Sequence, residues 1–385
     1  MFAETFVDAA GTAALPAPHW FIQFFKVLGF TLHMVPMNLW YAGLLLAILL
    51  QLGRSQYGRA LGIRLIRQMP VIVAVGVNLG IVPLLFVQVA YFKFFYPATI
   101  LMAWFWLAII VLLTVAYYGV YAYCWGLRGK GGLSPFPVWR RAAGWIAALL
   151  FIVIGFIFAN AMSLLDNVGR WDEIWSKTSV AGAALGTGLN VGDPVLWPRW
   201  LLMFGFALGT TAVWALVDTF FFNRAAAANS DDAEQYKRWV WKFAKILYTV
   251  SMIWATAAGT YYVFGAWSGE LRKTMFSFPN VLLTVATALA IGLPWIMIVT
   301  EGRCPAKRSL VAGIALAQIG VLGINAVSRQ VVQNINLASA LDVFSQKTET
   351  QWGPMVMFLA AFVAGLVVLV WMLAQVIKST AETPQ

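Results

Sequence analysis

Nine stretches of the chain are almost continuously apolar: residues 20–51, 69–93, 97–124, 139–163, 197–222, 240–266, 278–300, 309–328 and 353–377. Each has the ~18 or more residues needed to cross ~30 Å of hydrocarbon. None alternates with the period of two that a barrel strand requires. In lipid the backbone must bond within its own segment, so the spans are predicted to be helices. The expected fold is an all-α polytopic membrane protein, one integral-membrane domain over residues 1–385 with nine transmembrane helices. The first span is long enough to project beyond the bilayer; the eighth is short and carries Asn325.

Composition points the same way, with 61% hydrophobic and 11% charged residues, where a soluble domain has about 25% charged. The net charge of +11 suggests a nucleic-acid partner until the basic residues are placed. Seventeen of the 26 Lys and Arg residues fall on one set of alternate loops and the C-terminal tail. They include Arg54, Arg59, Arg64, Arg67, Arg128, Lys130, Arg140, Arg141, Arg224, Arg303 and Lys378; eight fall on the other set. This positive-inside distribution puts the N-terminus outside and the C-terminus inside. The basic charge therefore reports orientation, and no nucleic-acid partner is expected. The first twenty residues hold no Lys or Arg, so no cleaved signal peptide is expected.

The two cysteines, Cys124 and Cys304, belong to no CxxC or CxxCH sequence, which argues against covalent haem and cysteine-ligated zinc or iron–sulfur sites. GxGxxG, Walker and HExxH sequences are also missing, so ATPase and nicotinamide chemistry are not expected. Two outer loops are long, 164–196 and 329–352. The first has acidic residues, Trp171 and Trp175, which suit a surface packed on a partner. Residues 223–239 read as a solvated turn. Trp20, Trp171, Trp175, Trp197, Trp200, Trp267 and Trp352, near outer span ends, read as an interfacial belt.

Ionisable side chains inside the bilayer are costly and mark candidate sites. Lys26 reads as snorkelling to the outer interface, Asp218 lies near the inner end of the fifth span, and His33 sits about a dozen residues into the first. Residues 69–124 contain no Asp or Glu, which opposes a proton-coupled transporter. The His33 imidazole has two readings, an interhelical hydrogen bond or an axial ligand to haem iron. A bis-histidine haem would require His19, which precedes the span, to fold back. The other arrangements are a five-coordinate haem or a His–Met haem using Met34, Met37, Met162 or Met203, although most such methionines only pack.

Several stretches carry a family resemblance. "HMVPMNLWYAGLLLAI" (33–48) is similar to the first helix of subunit I of cytochrome bd-type quinol oxidases, where a histidine, a Val-Pro and a Leu-Ala-Ile run follow one another. "FANAMSLLDN" (158–167) resembles the end of that family's fourth helix, and "DPVLWPRWLLMFGFALGTTAVW" (193–214) the entry to its fifth. "SRQVVQ" (328–333) resembles the Gly-Arg-Gln-Pro-Trp at the outer end of its eighth. These pieces cover most of the chain in order. The resemblance implies a nine-helix redox scaffold with haem and quinol chemistry, but the departures fall on the ligands. The positions of the family's low-spin haem ligands hold Leu202 and about Val281. Those of the carboxylates serving the oxygen-reducing haem hold about Phe86, Thr114 and Ala326. Only His33 has a counterpart, with its spacing to Pro36 two residues shorter than in the family. The quinol-binding loop is cut to "WSGELRKTMFSF". The resemblance thus implies a degenerate member that cannot reduce oxygen by itself and holds at most one haem b.

The expected function is that of a bacterial inner-membrane subunit of a respiratory electron-transfer complex. It would pass electrons between quinol and a periplasmic partner, a multihaem c-type cytochrome, seated on loops 164–196 and 329–352. His33 would be the axial ligand. Arg329, Gln330 and Asn160 would meet a haem propionate or a quinol oxygen, Arg329 through its planar guanidinium, with Asp166 in the same region. The alternative is a haem-free scaffold that anchors redox partners. A small-molecule transporter is a third reading, opposed by the sparse polar inventory of the spans.

Overall fold

In the computed structural model, residues 14–127, 137–223, 226, 230–301, 307–341 and 346–382 are described. Arg128, Lys130, Arg224, Arg303, Cys304 and the side chain of Lys378 lie outside the described residues. The long helices are α1 (His19–Leu52), α2 (Gln56–Ala90), α4 (Ala103–Gly126), α5 (Val138–Asp166), α7 (Leu196–Phe222), α10 (Asn280–Thr300) and α11 (Arg308–Leu337). With them are α8, an α-helix over Asp231–Thr260 continued by a π-turn over Tyr261–Ala266, and α12 (Trp352–Glu382). Short helices α3 (Phe92–Leu101), α6 (Trp171–Thr178) and α9 (Gly269–Met275) connect them. A two-residue hairpin, Ser179–Val180 with Ala183–Ala184, is the one strand pair among the described residues.

Eight of these helices are long and apolar enough to cross a membrane, which makes the chain an all-α polytopic membrane protein. The helix left out is α8, over the predicted sixth span. Lys237, Arg238, Lys242 and Lys245 occupy its first half, and Tyr, Thr and Ser dilute its second.

Several boundaries differ from the sequence reading, among them the start of α2, which lies at Gln56 and not at 69 and makes Arg59, Arg64 and Arg67 helical. The predicted turn at 223–239 is helical from Asp231. Ser230 Oγ accepts from the Ala233 N–H at 3.2 Å, and Asp231, Asp232 and Glu234 fill the first turn, where carboxylates favour the helix dipole. Residues 97–124 are divided at Met102 between α3 and α4. The eighth span does not end at 328, because α11 runs to Leu337 and carries Arg329, Gln330 and Gln333 as helical side chains. Polar residues there face protein, so polarity was no signal of a loop.

Helices α1 and α7 are central, with more than half of their apolar windows buried, whereas the window of α12 is 0% buried. Helix α1 packs along α2, α4 along α5, and α7 along α8. A polar chain ties the centre. Asn38 Nδ2 donates to Thr210 Oγ1 at 2.9 Å, Gln318 Nε2 donates to the same oxygen at 3.1 Å, and Tyr248 donates to Gln318 Oε1 at 2.7 Å. Such bonds hold membrane helices together where the hydrophobic effect between them is absent. Asp218 is also structural: Arg64 grips it with two donors at 2.7 and 2.8 Å, and Gln68 adds a third at 2.5 Å.

The Asp166 end of the bundle is capped by residues 167–195. Trp171 is fully buried, its indole donating to Leu164 O at 2.8 Å, which corrects its assignment to an exposed belt or partner surface. Trp267 is buried as well, while Trp20, Trp197 and Trp352 are exposed. On the outside of the cap, the bond from Lys177, with Arg170 alongside, holds the Glu173 carboxyl below its usual range.

Candidate functional site

Helix α1 presents Lys26, Phe30, His33, Met37 and Trp40 on one face, because the steps of four, three, four and three residues keep returning to it. That face borders a cavity of about 350 Å³, closed by residues of α2, α4, α5, α7 and α11, a volume within the ~300–1,000 Å³ range of small-molecule sites. Helix α11 contributes Ala326, Arg329, Gln330 and Gln333, again one helical face. Among the described residues no carboxylate lines the cavity. A shallow groove between α7 and α8, around Leu201, Ile253 and Trp254, exposes almost no polar surface and offers nothing for chemistry.

His33 Nδ1 lies 2.8 Å from the carbonyl oxygen of Gly76. A carbonyl only accepts, so Nδ1 carries the proton and the neutral ring keeps the lone pair of Nε2. The ring lines the cavity and has no other hydrogen bond among the described residues. A hydrogen bond from the remote ring nitrogen to a backbone carbonyl is what fixes tautomer and orientation in metal-bound histidines. Gly80 makes room for the ring: a Cβ there would stand 2.8 Å from His33 Cε1 and 2.9 Å from Nδ1. Gly80→Ala is therefore expected to turn the imidazole from its seat and destabilise the fold by about 1–3 kcal/mol. Thermal unfolding together with the visible spectrum will show both effects.

Two turns from His33 the cavity becomes cationic. Lys26 is 8% exposed, bonds Gln333 Oε1 and lies 4.2 Å from the Tyr91 ring centroid. It turns inward and does not snorkel. Gln333 Nε2 donates to Asp166 Oδ1 at 2.7 Å, and Arg199 Nη1 to Asp166 Oδ2 at 2.6 Å. Arg329 meets no carboxylate among the described residues. Its guanidinium lies 4.6 Å from the Phe30 ring centroid and donates to Met203 Sδ at 3.3 Å. Arg199 bonds Asp166 directly and Lys26 reaches it through Gln333, so three basic side chains lie with one acid at this end of the cavity, an arrangement that suits an anionic group on a ligand.

Of the expected residues, His33, Arg329 and Gln330 come together in this cavity. Gln330 also donates to Tyr91 Oη at 2.7 Å and to Asn334 Oδ1 at 2.9 Å. Asn160 does not line it; its Oδ1 accepts the Asn190 N–H at 3.0 Å and so anchors the cap. Met37, Met162 and Met203 line the cavity, while Met34 is fully buried outside its wall, and His19 is not among the lining residues. The sequence reading missed Lys26 and Arg199. Lys26 had a signal, seven residues before His33 and hence on its face, whereas Arg199 is brought in only by the packing of α7 against α5.

The donor set fits one haem: an imidazole with a free Nε2, an apolar slot, and cations where carboxylates would lie. No group of three or more His, Cys, Asp or Glu suited to a metal ion occurs among the described residues. No family model matches the chain, and no curated protein matches it.

Proposed function

We propose that the chain is a multi-pass subunit of a respiratory electron-transfer complex in a bacterial inner membrane, built on a cytochrome bd subunit I-like scaffold. It has nine spans, with α8 as the sixth, the N-terminus outside and the C-terminus inside. It binds one haem b, and electrons pass between quinol and a periplasmic partner, a multihaem c-type cytochrome, on the cap formed by residues 167–195. One observation carries this reading: His33, fixed through Nδ1 to Gly76, lines a cavity that Lys26, Arg199 and Arg329 also line.

When bound, the haem supplies one-electron transfer. His33 would hold the iron, and Arg329 and Lys26 would hold the propionates. Lys26 stands seven residues from His33, about 10 Å of helix rise, and Arg329 lies over Phe30, one turn from the imidazole. The apolar residues of α2, α4 and α5 would exclude water from the ring. Removing a nearby cation favours the oxidised, more positive iron, so Arg329→Gln is expected to lower the haem midpoint potential by about 60 mV, the one-electron equivalent of roughly 1.4 kcal/mol. A redox titration of both proteins gives the answer.

The reading is tested by the reduced-minus-oxidised absorbance of the purified protein, in which a haem b α-band is expected. A second reading, a haem-free scaffold for redox partners, is favoured by the His33–Gly76 bond itself, since an interhelical hydrogen bond satisfies a membrane histidine without iron. A purified protein with no haem absorbance decides for the scaffold.

A further inference from the structure

Helix α8 carries Lys237, Arg238, Lys242 and Lys245 in its first half, at the end of the bundle opposite the cap. Lys237 is paired with Glu234 at 3.1 Å. Arg238, Lys242 and Lys245 are exposed, and steps of four and three residues set them on one face. Lys245 Nζ donates to Val299 O, in the last turn of α10, at 3.2 Å. Arg238 and Lys242 form no salt bridge with any carboxylate among the described residues. Like charges one helical turn apart repel, and residues 239–249 hold no Asp or Glu to relieve them. Beside them Trp239 stacks on Phe243 with ring centroids 5.5 Å apart, an amphipathic aromatic of the kind that sits at headgroup depth.

Beyond Lys242 the same face turns apolar, through the exposed Ile246, Val250 and Ile253. Val250 and Ile253 lead into the groove between α7 and α8, about 470 Å³ in volume, which continues past Trp254 and Ala257 to Tyr261. The Trp254 indole is fixed there by donating to Leu201 O at 2.9 Å. Spread over the roughly 16 Å of helix from Val250 to Tyr261, that volume leaves a channel about 6 Å wide. A second helix, about 10–12 Å across with its side chains, does not fit such a channel, whereas one hydrocarbon chain does. Depth agrees as well. Val250 lies about 12 Å and Trp254 about 18 Å along the helix from Lys242, and one leaflet of hydrocarbon is about 15 Å deep.

We propose that this face of α8 binds an anionic phospholipid, its phosphate between Arg238 and Lys242 and one acyl chain along Ile246 and Val250 into the groove beside Trp254. Unpaired cations call for an anion, and the apolar track below them calls for a chain on the same molecule. A soluble acidic peptide would meet the first requirement and leave the second unmet. The site goes beyond the redox reading above and stands without it.

The test uses the full chain in phosphatidylcholine nanodiscs, titrated with a phosphatidylglycerol that carries a diazirine midway along one acyl chain. After irradiation the labelled peptides are located by mass spectrometry. Label is expected on residues 246–257, and a phosphatidylcholine probe with the same chain should not enrich there. Arg238→Gln with Lys242→Gln should raise the probe fraction for half-maximal labelling about ten- to thirtyfold. Arg140→Gln with Arg141→Gln, which removes equal charge from the same end of the bundle, should leave it unchanged. Val250→Trp, which fills the mouth of the groove at constant charge, should drive the label off residues 250–257. Equal labelling by the two probes on the wild type, a comparison that needs no variant, would overturn the site. So would unchanged labelling in the α8 double variant, equal loss in both double variants, or displacement by millimolar inorganic phosphate, which would assign the cations to a free anion. A co-purified protein cross-linked at α8 in place of the lipid would overturn it too.

Discussion

His33→Ala is expected to remove the haem b signal completely while the helical content and detergent-solubilised size stay unchanged. Among the described residues no second imidazole lines the cavity. His19 does not line it, and Met203 already accepts from Arg329 through its sulfur. Met37 is one turn along the same helix face and reaches the cavity from the same wall. The alanine leaves Gly76 O with its helical partner, so the loss to the fold is one interhelical bond, about 0.6 kcal/mol by the average for membrane helices. A difference spectrum and circular dichroism on one preparation separate loss of cofactor from loss of structure. Persistence of the α-band in the alanine variant would refute His33 as ligand.

Asp166→Ala is the substitution expected to cost most in stability, about 3–5 kcal/mol, because it leaves buried cations without their carboxylate. Asp166 accepts from Arg199 at 2.6 Å and from Gln333 at 2.7 Å, and Gln333 in turn bonds Lys26. Removing the acid therefore loosens α5, α7, α11 and α1 together. The unfolding midpoint in mild detergent should fall sharply, and an added anionic ligand at the cationic end should restore part of the loss. An unchanged midpoint would mean that water reaches these cations in place of the acid.

The membrane-helical class was legible from residue type and run length, because in hydrocarbon a helix is the one open solution for an apolar segment of about twenty residues. Helix ends were less legible. The extension of α11 through Arg329, Gln330 and Gln333 places polar side chains against Lys26, Tyr91 and Asp166, and their partners come from residues 26, 91 and 166. Sequence carries no sign of such pairing. His33 stood out as an isolated imidazole in an apolar run, yet its orientation depended on Gly76 and Gly80, two residues of α2 that looked like ordinary helix spacers.

The clasp of Lys26, Asp166, Arg199 and Gln333 joins residues more than three hundred positions apart. In biogenesis His33 enters the bilayer with the earliest helix, but Gln333 leaves the ribosome only after most of the polypeptide has been made. A cofactor held at this clasp would find its site complete only once most of the chain had been made, so products truncated before α11 are expected to retain none.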